Sequence, residues 1–184
     1  MFELIILLII VIILIFTMLA ITVVASLDLI GYIATDVPFV PIQDAVVEKL
    51  VALAPQEKGV FYDLGSGEGK VVVAIAKRYP DIRSIGVEKA PLPRLFTALI
   101  RRKKPDNAVF INKDINDVSL TDATFVYLYL LTKITHALEP KLERELQPGS
   151  RLVCCDFPLK NREPKEKHLV QQRGSRHTLY VYDF

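Results

Sequence analysis

Val60-Phe61-Tyr62-Asp63-Leu64-Gly65-Ser66-Gly67-Glu68-Gly69 runs from an apolar, strand-forming stretch directly into alternating glycines, and Gly69 to Tyr79 carries a helical pattern. A strand that meets a helix through such a loop opens a βαβ unit. Glycine lacks Cβ, so the loop can take positive φ and let a ligand approach the backbone closely. The first turn of the following helix then offers free N–H groups to that ligand. The next apolar run, Ser84 to Glu88, closes the unit and ends in Gly86-Val87-Glu88. A carboxylate at that place can accept hydrogen bonds from both hydroxyls of a ribose. A tight turn would use glycine anyway, so the loop alone is weak evidence; loop and acid together indicate a nucleotide-like ligand.

Two phosphate-binding alternatives fail on particular residues. A dinucleotide fingerprint needs glycine where Lys70 stands, and a Walker A loop needs glycine at Leu64 and a hydroxyl residue at Val71.

Toward the C-terminus the alternation continues. A helix is expected from Pro91 to Arg102, with Leu92, Leu95, Phe96 and Leu99 on one face, then strands at Ala108 to Asn112 and Ala123 to Leu130. The helical region Thr132 to Leu146 contains Pro140, which is expected to start a second segment. After the Pro148-Gly149 turn come a strand at Arg151 to Phe157 and a hairpin of His168 to Gln172 with His177 to Phe184, around Arg173-Gly174-Ser175-Arg176. Upstream, Gln43 to Leu53 reads as a helix with Val46, Val47, Leu50, Val51 and Leu53 on its buried face. The fold class is α/β: a doubly wound, seven-stranded, Rossmann-like sheet with a terminal antiparallel hairpin.

Leu4 to Leu27 contains no charge and only Thr17, Thr22 and Ser26 as polar residues. A helix over it spans about 36 Å, enough to cross a hydrocarbon core of about 30 Å. A cleaved secretory signal is the rival reading, but such signals carry a basic start, and Glu3 is the only charge before Asp28. The expected division is a transmembrane anchor over 1–27, a connector over 28–42, interrupted by Gly31, Pro38 and Pro41, and a domain over 43–184. All 23 Lys and Arg residues follow the apolar segment, beginning at Lys49, so the domain is expected on the cytoplasmic side.

Composition narrows the classes further. In 184 residues, 51% are hydrophobic and 24% charged, which excludes a disordered chain. A net charge of +2 gives no basic footprint, so nucleic acid is not an expected partner. Cys154 and Cys155 are adjacent in an apolar run and read as small core residues. His136, His168 and His177 form no spaced ligand set, so no metal is expected.

Asp63-x-Gly65-x-Gly67-x-Gly69, Glu88 one strand later and Lys113-Asp114-Ile115 after the third strand resemble the cofactor-binding motifs of class I S-adenosylmethionine-dependent methyltransferases. The resemblance covers the chain after the apolar segment. It implies that Asp63, Gly65, Ser66, Gly67 and Gly69 hold the amino-acid part of S-adenosyl-L-methionine, that Glu88 holds its ribose, and that Asp114 and Ile115 meet its adenine. Asp117 is the alternative to Asp114. A narrower likeness rests on Val37-Pro38-Phe39-Val40-Pro41, on Lys141-Leu142-Glu143-Arg144-Glu145-Leu146 and on Phe157-Pro158. Together with one N-terminal membrane segment, these are similar to the membrane-anchored lysine methyltransferases of the adenine nucleotide translocase and the ATP synthase c-subunit, and to their prokaryotic relatives. The chain departs from the mitochondrial members in having no basic, acid-poor segment at its start. A single-pass protein of a prokaryotic plasma membrane is therefore expected, with the mitochondrial inner membrane as the alternative.

That resemblance implies transfer of a methyl group to a lysine amine of a membrane protein. A lysine amine has a reference pKa near 10.4, so a pocket that favours its neutral form supplies much of what is needed. Alternation puts Phe125, Tyr127 and Tyr129 of the fourth strand on one face, where a ring can hold an ammonium and a phenol can orient an amine. Ordinary sheet packing explains Tyr127 about as well. Asp156 is a candidate to accept a proton or hydrogen bond from the amine. Lys160, Arg162, Lys165, Lys167, Arg173 and Arg176 could lie against anionic lipid. A lipid-like or quinone-like substrate, and a tethered module that binds the cofactor without catalysis, are the alternatives.

Overall fold

The computed structural model describes residues 2–35, 42–55, 57–89, 104–172 and 174–184. The helix expected over Pro91 to Arg102, the segment Val37 to Pro41 and Arg173 lie outside them. The chain divides into two compact units, Met1–Phe39 and Val40–Phe184.

In the first unit, α1 (Phe2–Thr35) is one continuous helix. Its stretch Phe2–Ser26 is long and apolar enough to cross a membrane, and every side chain in it is exposed. Thr17, Thr22 and Ser26 donate their hydroxyls to the carbonyls of Leu14, Met18 and Thr22, so even the polar side chains are satisfied within the helix. The helix continues through Gly31 to Thr35, into the stretch expected as connector. A single interior glycine costs only about 1 kcal/mol relative to alanine and does not stop it.

The second unit contains α2 (Asp44–Ala52), β1 (Lys58–Leu64), α3 (Lys70–Arg78), β2 (Asp81–Val87), β3 (Ala108–Ile111), β4 (Phe125–Leu128), α4 (Thr132–Glu145), β5 (Arg151–Cys155), β6 (Glu166–Gln172) and β7 (Ser175–Asp183). The seven strands form one sheet in the order β3-β2-β1-β4-β5-β7-β6. The strands from β3 to β5 are parallel to their neighbours, and β7 enters antiparallel between β5 and β6. All four parallel pairings therefore end at one edge, where β1 gives way to the glycine loop.

One sheet face packs on α2 and α3. Val46, Val47 and Leu50 of α2 and Val71 and Ile75 of α3 share a core with Phe61, Phe125, Tyr127, Val153, Cys155, Leu179 and Val181. Alternation turns Cys154 and Tyr182 to the other face, where Glu139 of α4 lies near both. The sheet is thus covered on both sides, as expected for a doubly wound fold. Gln172 Oε1 at the end of β6 accepts the Ala45 N–H at 3.0 Å, capping α2 in place of Gln43. Lys70 donates to Ile42 O and pairs with Asp44 Oδ1, both at 2.8 Å, which ties the start of α2 to the start of α3.

Three expectations need correction. Helix α4 is unbroken and keeps Pro140 in its interior. Proline removes one hydrogen bond at a cost of about 3 kcal/mol, whereas burying Leu138 and Leu142 contributes about 1.5–3 kcal/mol each. Strand β4 stops at Leu128, so Tyr129 and Leu130 lie beyond it. Strand β5 stops at Cys155, because Asp156 takes φ +62° and breaks the extended run; it is the only non-glycine with positive φ among the described residues.

Candidate active site

The glycine loop follows β1 directly, with Gly65, Gly67 and Gly69 at φ +82°, +53° and +85°. Gly65 N–H and Ser66 N–H donate to Val87 O at 2.9 and 3.0 Å, so the loop folds over the end of β2. A Cβ on Gly65 would stand 2.7 Å from Leu130 Cδ2, which adds a steric demand to the conformational one. Gly86 is needed for space alone: a Cβ there would meet Ser66 Oγ, Val72 and Phe110 at 3.0 Å or less. Gly67 N–H donates to Glu88 Oε2 at 2.9 Å, which brings the loop and the acid after β2 together.

Asp63 lies beneath this pair and is 3% exposed. Burial and the neighbouring Glu88 push its pKa up to about 8. Two carboxyl groups held close in a buried setting are relieved by a cation. Ser66 Oγ is buried without a hydrogen-bond partner, as expected of a group that awaits a ligand or sits at a packing cost.

Asp114 and Ile115 lie at the end of β3. Asp114 caps a short 3-10 turn, Ile115–Asp117: its Oδ1 accepts Asn116 N–H at 3.0 Å and its Oδ2 pairs with Lys89 at 3.0 Å. The Asn116 backbone and Lys89 hold its carboxyl below the usual range. Ile115 is half-buried and Asp117 exposed, which favours Asp114 as the ordered acid of the pair.

At the ends of β4 and β5 the expected catalytic residues separate. Tyr127 is 2% exposed and belongs to the core, opposite Asp63 on β1; burial, with Cys155 next, pushes its pKa far up. Tyr129 is half-buried at the edge, and burial, then Cys155 and Asp156, raise its phenol to about 12. It stays a neutral hydroxyl at any physiological pH. Its ring stacks on Phe157 at 6.4 Å and meets His177 edge-on at 5.9 Å. Asp156 does not face outward as a free base. Its Oδ1 accepts Thr178 N–H at 2.8 Å and its Oδ2 lies 2.7 Å from His177 Nδ1.

His177 and Phe157 are the edge residues that sequence reasoning misses as site groups. In the linear pattern Phe157 is a strand ending that contributes to the family likeness without a role of its own, and His177 only a histidine in no ligand set. The signal that finds His177 is the hairpin register, since β7 sets Leu179 opposite Cys155 and so carries residue 177 just past the end of β5. Cys155, Asp156 and His177 offer ligand atoms within 4.8 Å of one another. Burial raises the Cys155 thiol to about 12, so it reads as a core group. Of the basic cluster, Arg162 and Lys165 are paired with Glu143 and Asp183.

The sequence pattern of the ANTKMT methyltransferase domain matches residues 63–166, from the acid of the glycine loop to the start of β6. The chain belongs to this family. A protein-lysine N-methyltransferase of Saccharolobus islandicus (strain REY15A) is 33% identical to this methyltransferase over 150 residues, covering 79% of this chain and 92% of that protein. The lysine N-methyltransferase of the ATP synthase c-subunit from Rattus norvegicus is 31% identical over 130 residues, 69% of this chain and 59% of its own length. Among solved structures, an RNA methyltransferase from Salinibacter ruber in complex with S-adenosyl-L-homocysteine superposes with TM-score 0.69 at 31% identity, covering 78% of this chain and 93% of that one. The tRNA methyltransferase TrmK of B. subtilis, at 13% identity, TM-score 0.61 and coverage of 79% of this chain and 67% of that one, shares the fold.

The chain is a class I methyltransferase and S-adenosylmethionine is its cofactor. The residues present fit that group: the cofactor carries a sulfonium and an ammonium, and the loop offers a buried carboxyl raised by a second one and an unpartnered Ser66 hydroxyl.

Proposed function

We propose that this protein transfers the methyl group of S-adenosylmethionine to the side-chain amine of a lysine in a membrane protein, from the cytoplasmic side, with Phe2–Ser26 as its bilayer anchor. The observation that carries the lysine reading is the edge cluster of Tyr129, Phe157 and His177 beside the glycine loop. Aromatic faces receive an ammonium, and their apolar surroundings disfavour its charge. The lysine methyltransferase names of the Saccharolobus islandicus and Rattus norvegicus relatives support the same substrate class. The apolar, fully exposed helix supports the membrane, since a tethered domain meets bilayer proteins at high effective concentration.

In this reading Gly65 to Gly69 with Asp63 hold the amino-acid part of the cofactor, Glu88 its ribose hydroxyls, and Asp114 with Ile115 its adenine. The cofactor supplies an already activated methyl group. The chain's own residues then need to hold the amine in line, exclude water and manage one proton. Tyr129 orients the amine through its neutral hydroxyl. Tyr127 supports the floor between Asp63 and Cys155 rather than meeting the substrate. The division into anchor (1–27), connector (28–42) and catalytic domain (43–184) belongs to the same proposal.

The test is to incubate the purified full chain with methyl-labelled S-adenosylmethionine and membranes of its own source deprived of the enzyme. Label on a protein lysine is expected. Label in the lipid extract or in RNA would replace the proposed substrate, and cofactor binding without transfer would leave a tethered module.

A further inference from the structure

Resting on that lysine reading, we infer that His177 is the group that takes the proton from the incoming lysine ammonium, and that Asp156 acts through it as a positioning residue. Three observations converge. First, Asp156 adopts φ +62° immediately after β5, and this turn aims its carboxylate back at β7. Its backbone N–H donates to Thr178 O at 2.8 Å and its Oδ1 accepts Thr178 N–H at 2.8 Å, so the residue is held through both its backbone and its carboxylate. A left-handed aspartate is tolerated only where the surroundings over-determine it.

Second, the Asp156 Oδ2 lies 2.7 Å from His177 Nδ1. A carboxylate can only accept, so Nδ1 carries the hydrogen and the lone pair of the neutral ring is left on Nε2. Nε2 has no partner among the described residues and is not among the buried atoms that lack one, so it keeps some accessible surface. Third, Tyr129 stands edge-on to the same ring at 5.9 Å, which places the imidazole beside the aromatic cluster proposed to receive the amine. Among the described residues, the titratable groups that face His177 are Tyr129 beyond β4 and Cys155 and Asp156 at the end of β5. On β6 the residue opposite is uncharged Val170, with His168 two places along the same face.

The proton balance is simple. The lysine ammonium gives one proton to Nε2, and the imidazolium formed is stabilised by the Asp156 carboxylate. The freed lone pair forms the N–CH3 bond as the S–CH3 bond breaks, and that electron pair stays on sulfur as a neutral thioether. The product is a methylated ammonium, and the imidazolium returns its proton to water. In water the transfer is uphill by about 4 pK units, from a lysine near 10.4 to an imidazole near 6.5. Burial among Tyr129 and Phe157 narrows that gap by disfavouring the ammonium.

The test uses the full-length protein in single-turnover reactions with methyl-labelled S-adenosylmethionine and the enzyme-deprived membranes, from pH 6 to pH 10. His177→Asn keeps a donor for Asp156 and removes the base; His177→Gln is the second variant, and thermal melting checks that each folds. Both are expected to lose about 100-fold in methyl-transfer rate at pH 7, in the range of general-base removal. S-adenosylhomocysteine affinity should stay within about twofold. The deficit should shrink toward pH 10, where the amine sheds its own proton. Rates within about twofold of wild type at pH 7, or a loss that is constant across pH, would overturn the inference while leaving the lysine reading intact. Failure of the wild-type protein itself to label lysine would overturn both.

Discussion

Asp63 shows how one side chain links cofactor binding to stability. Burial and then Glu88 raise its pKa from 3.8 to about 8, so between those values the folded protein keeps a proton that the unfolded chain gives up. Stability of the cofactor-free protein should therefore fall as pH rises from about 4 to about 8. In calorimetry, Asp63→Asn should remove that slope: its Tm should exceed wild type at pH 8 by about 2–4 °C per kcal/mol recovered, with the advantage shrinking toward pH 4. An unchanged slope would show that Asp63 is ionised. Glu88→Ala removes both the proposed ribose acceptor and the partner of Gly67 N–H, and should weaken S-adenosylhomocysteine binding at least about tenfold by titration calorimetry. The glycine loop and Glu88 are legible in the sequence because each is a local pattern at the end of a strand. Glu88 also reaches the loop in space, as its bond to Gly67 makes plain. His177 is illegible there because its place depends on hairpin register and on a left-handed Asp156, neither of which a linear pattern encodes.

Among the elements, β7 must be held antiparallel inside an otherwise parallel run, and Asp183 at its end does much of this. Arg151 Nε donates to Asp183 Oδ1 at 2.8 Å, and Lys165 pairs with Oδ2. Arg151 first, with Lys165, lowers its pKa to about 2. A depressed acid adds stability above its unfolded pKa near 4 and loses it as pH falls toward 2. Asp183→Asn should cost about 1 kcal/mol in urea unfolding at pH 7, since the pair is partly exposed, and nothing near pH 2. In the loop element, Gly65→Ala combines φ +82° with overlap on Leu130 and should destabilise by about 1–3 kcal/mol while impairing cofactor binding. Strand and helix order is readable from alternation and helical periodicity. The ends are less so: Tyr129 falls outside β4, and Pro140 fails to break α4 because tertiary burial outweighs the local penalty.

At the scale of the whole molecule, the apolar helix and the methyltransferase domain are both visible in the sequence, one by composition and the other by motif. The pairing order, with β7 between β5 and β6, is not, because it is decided by contacts between distant segments. The anchor reading predicts that the full chain floats with lipid vesicles and that a chain lacking residues 1–27 does not, while S-adenosylhomocysteine affinity is kept. The central claim, methyl transfer to lysine at this sheet edge, is tested most directly by acid hydrolysis. Membranes deprived of the enzyme would be incubated with labelled S-adenosylmethionine and either the wild-type protein or Glu88→Ala, and the hydrolysates analysed for methyl-lysine. The account predicts labelled methyl-lysine with wild type and at most about a tenth as much with Glu88→Ala at limiting cofactor; no methyl-lysine with wild type, or equal amounts with both, would contradict it.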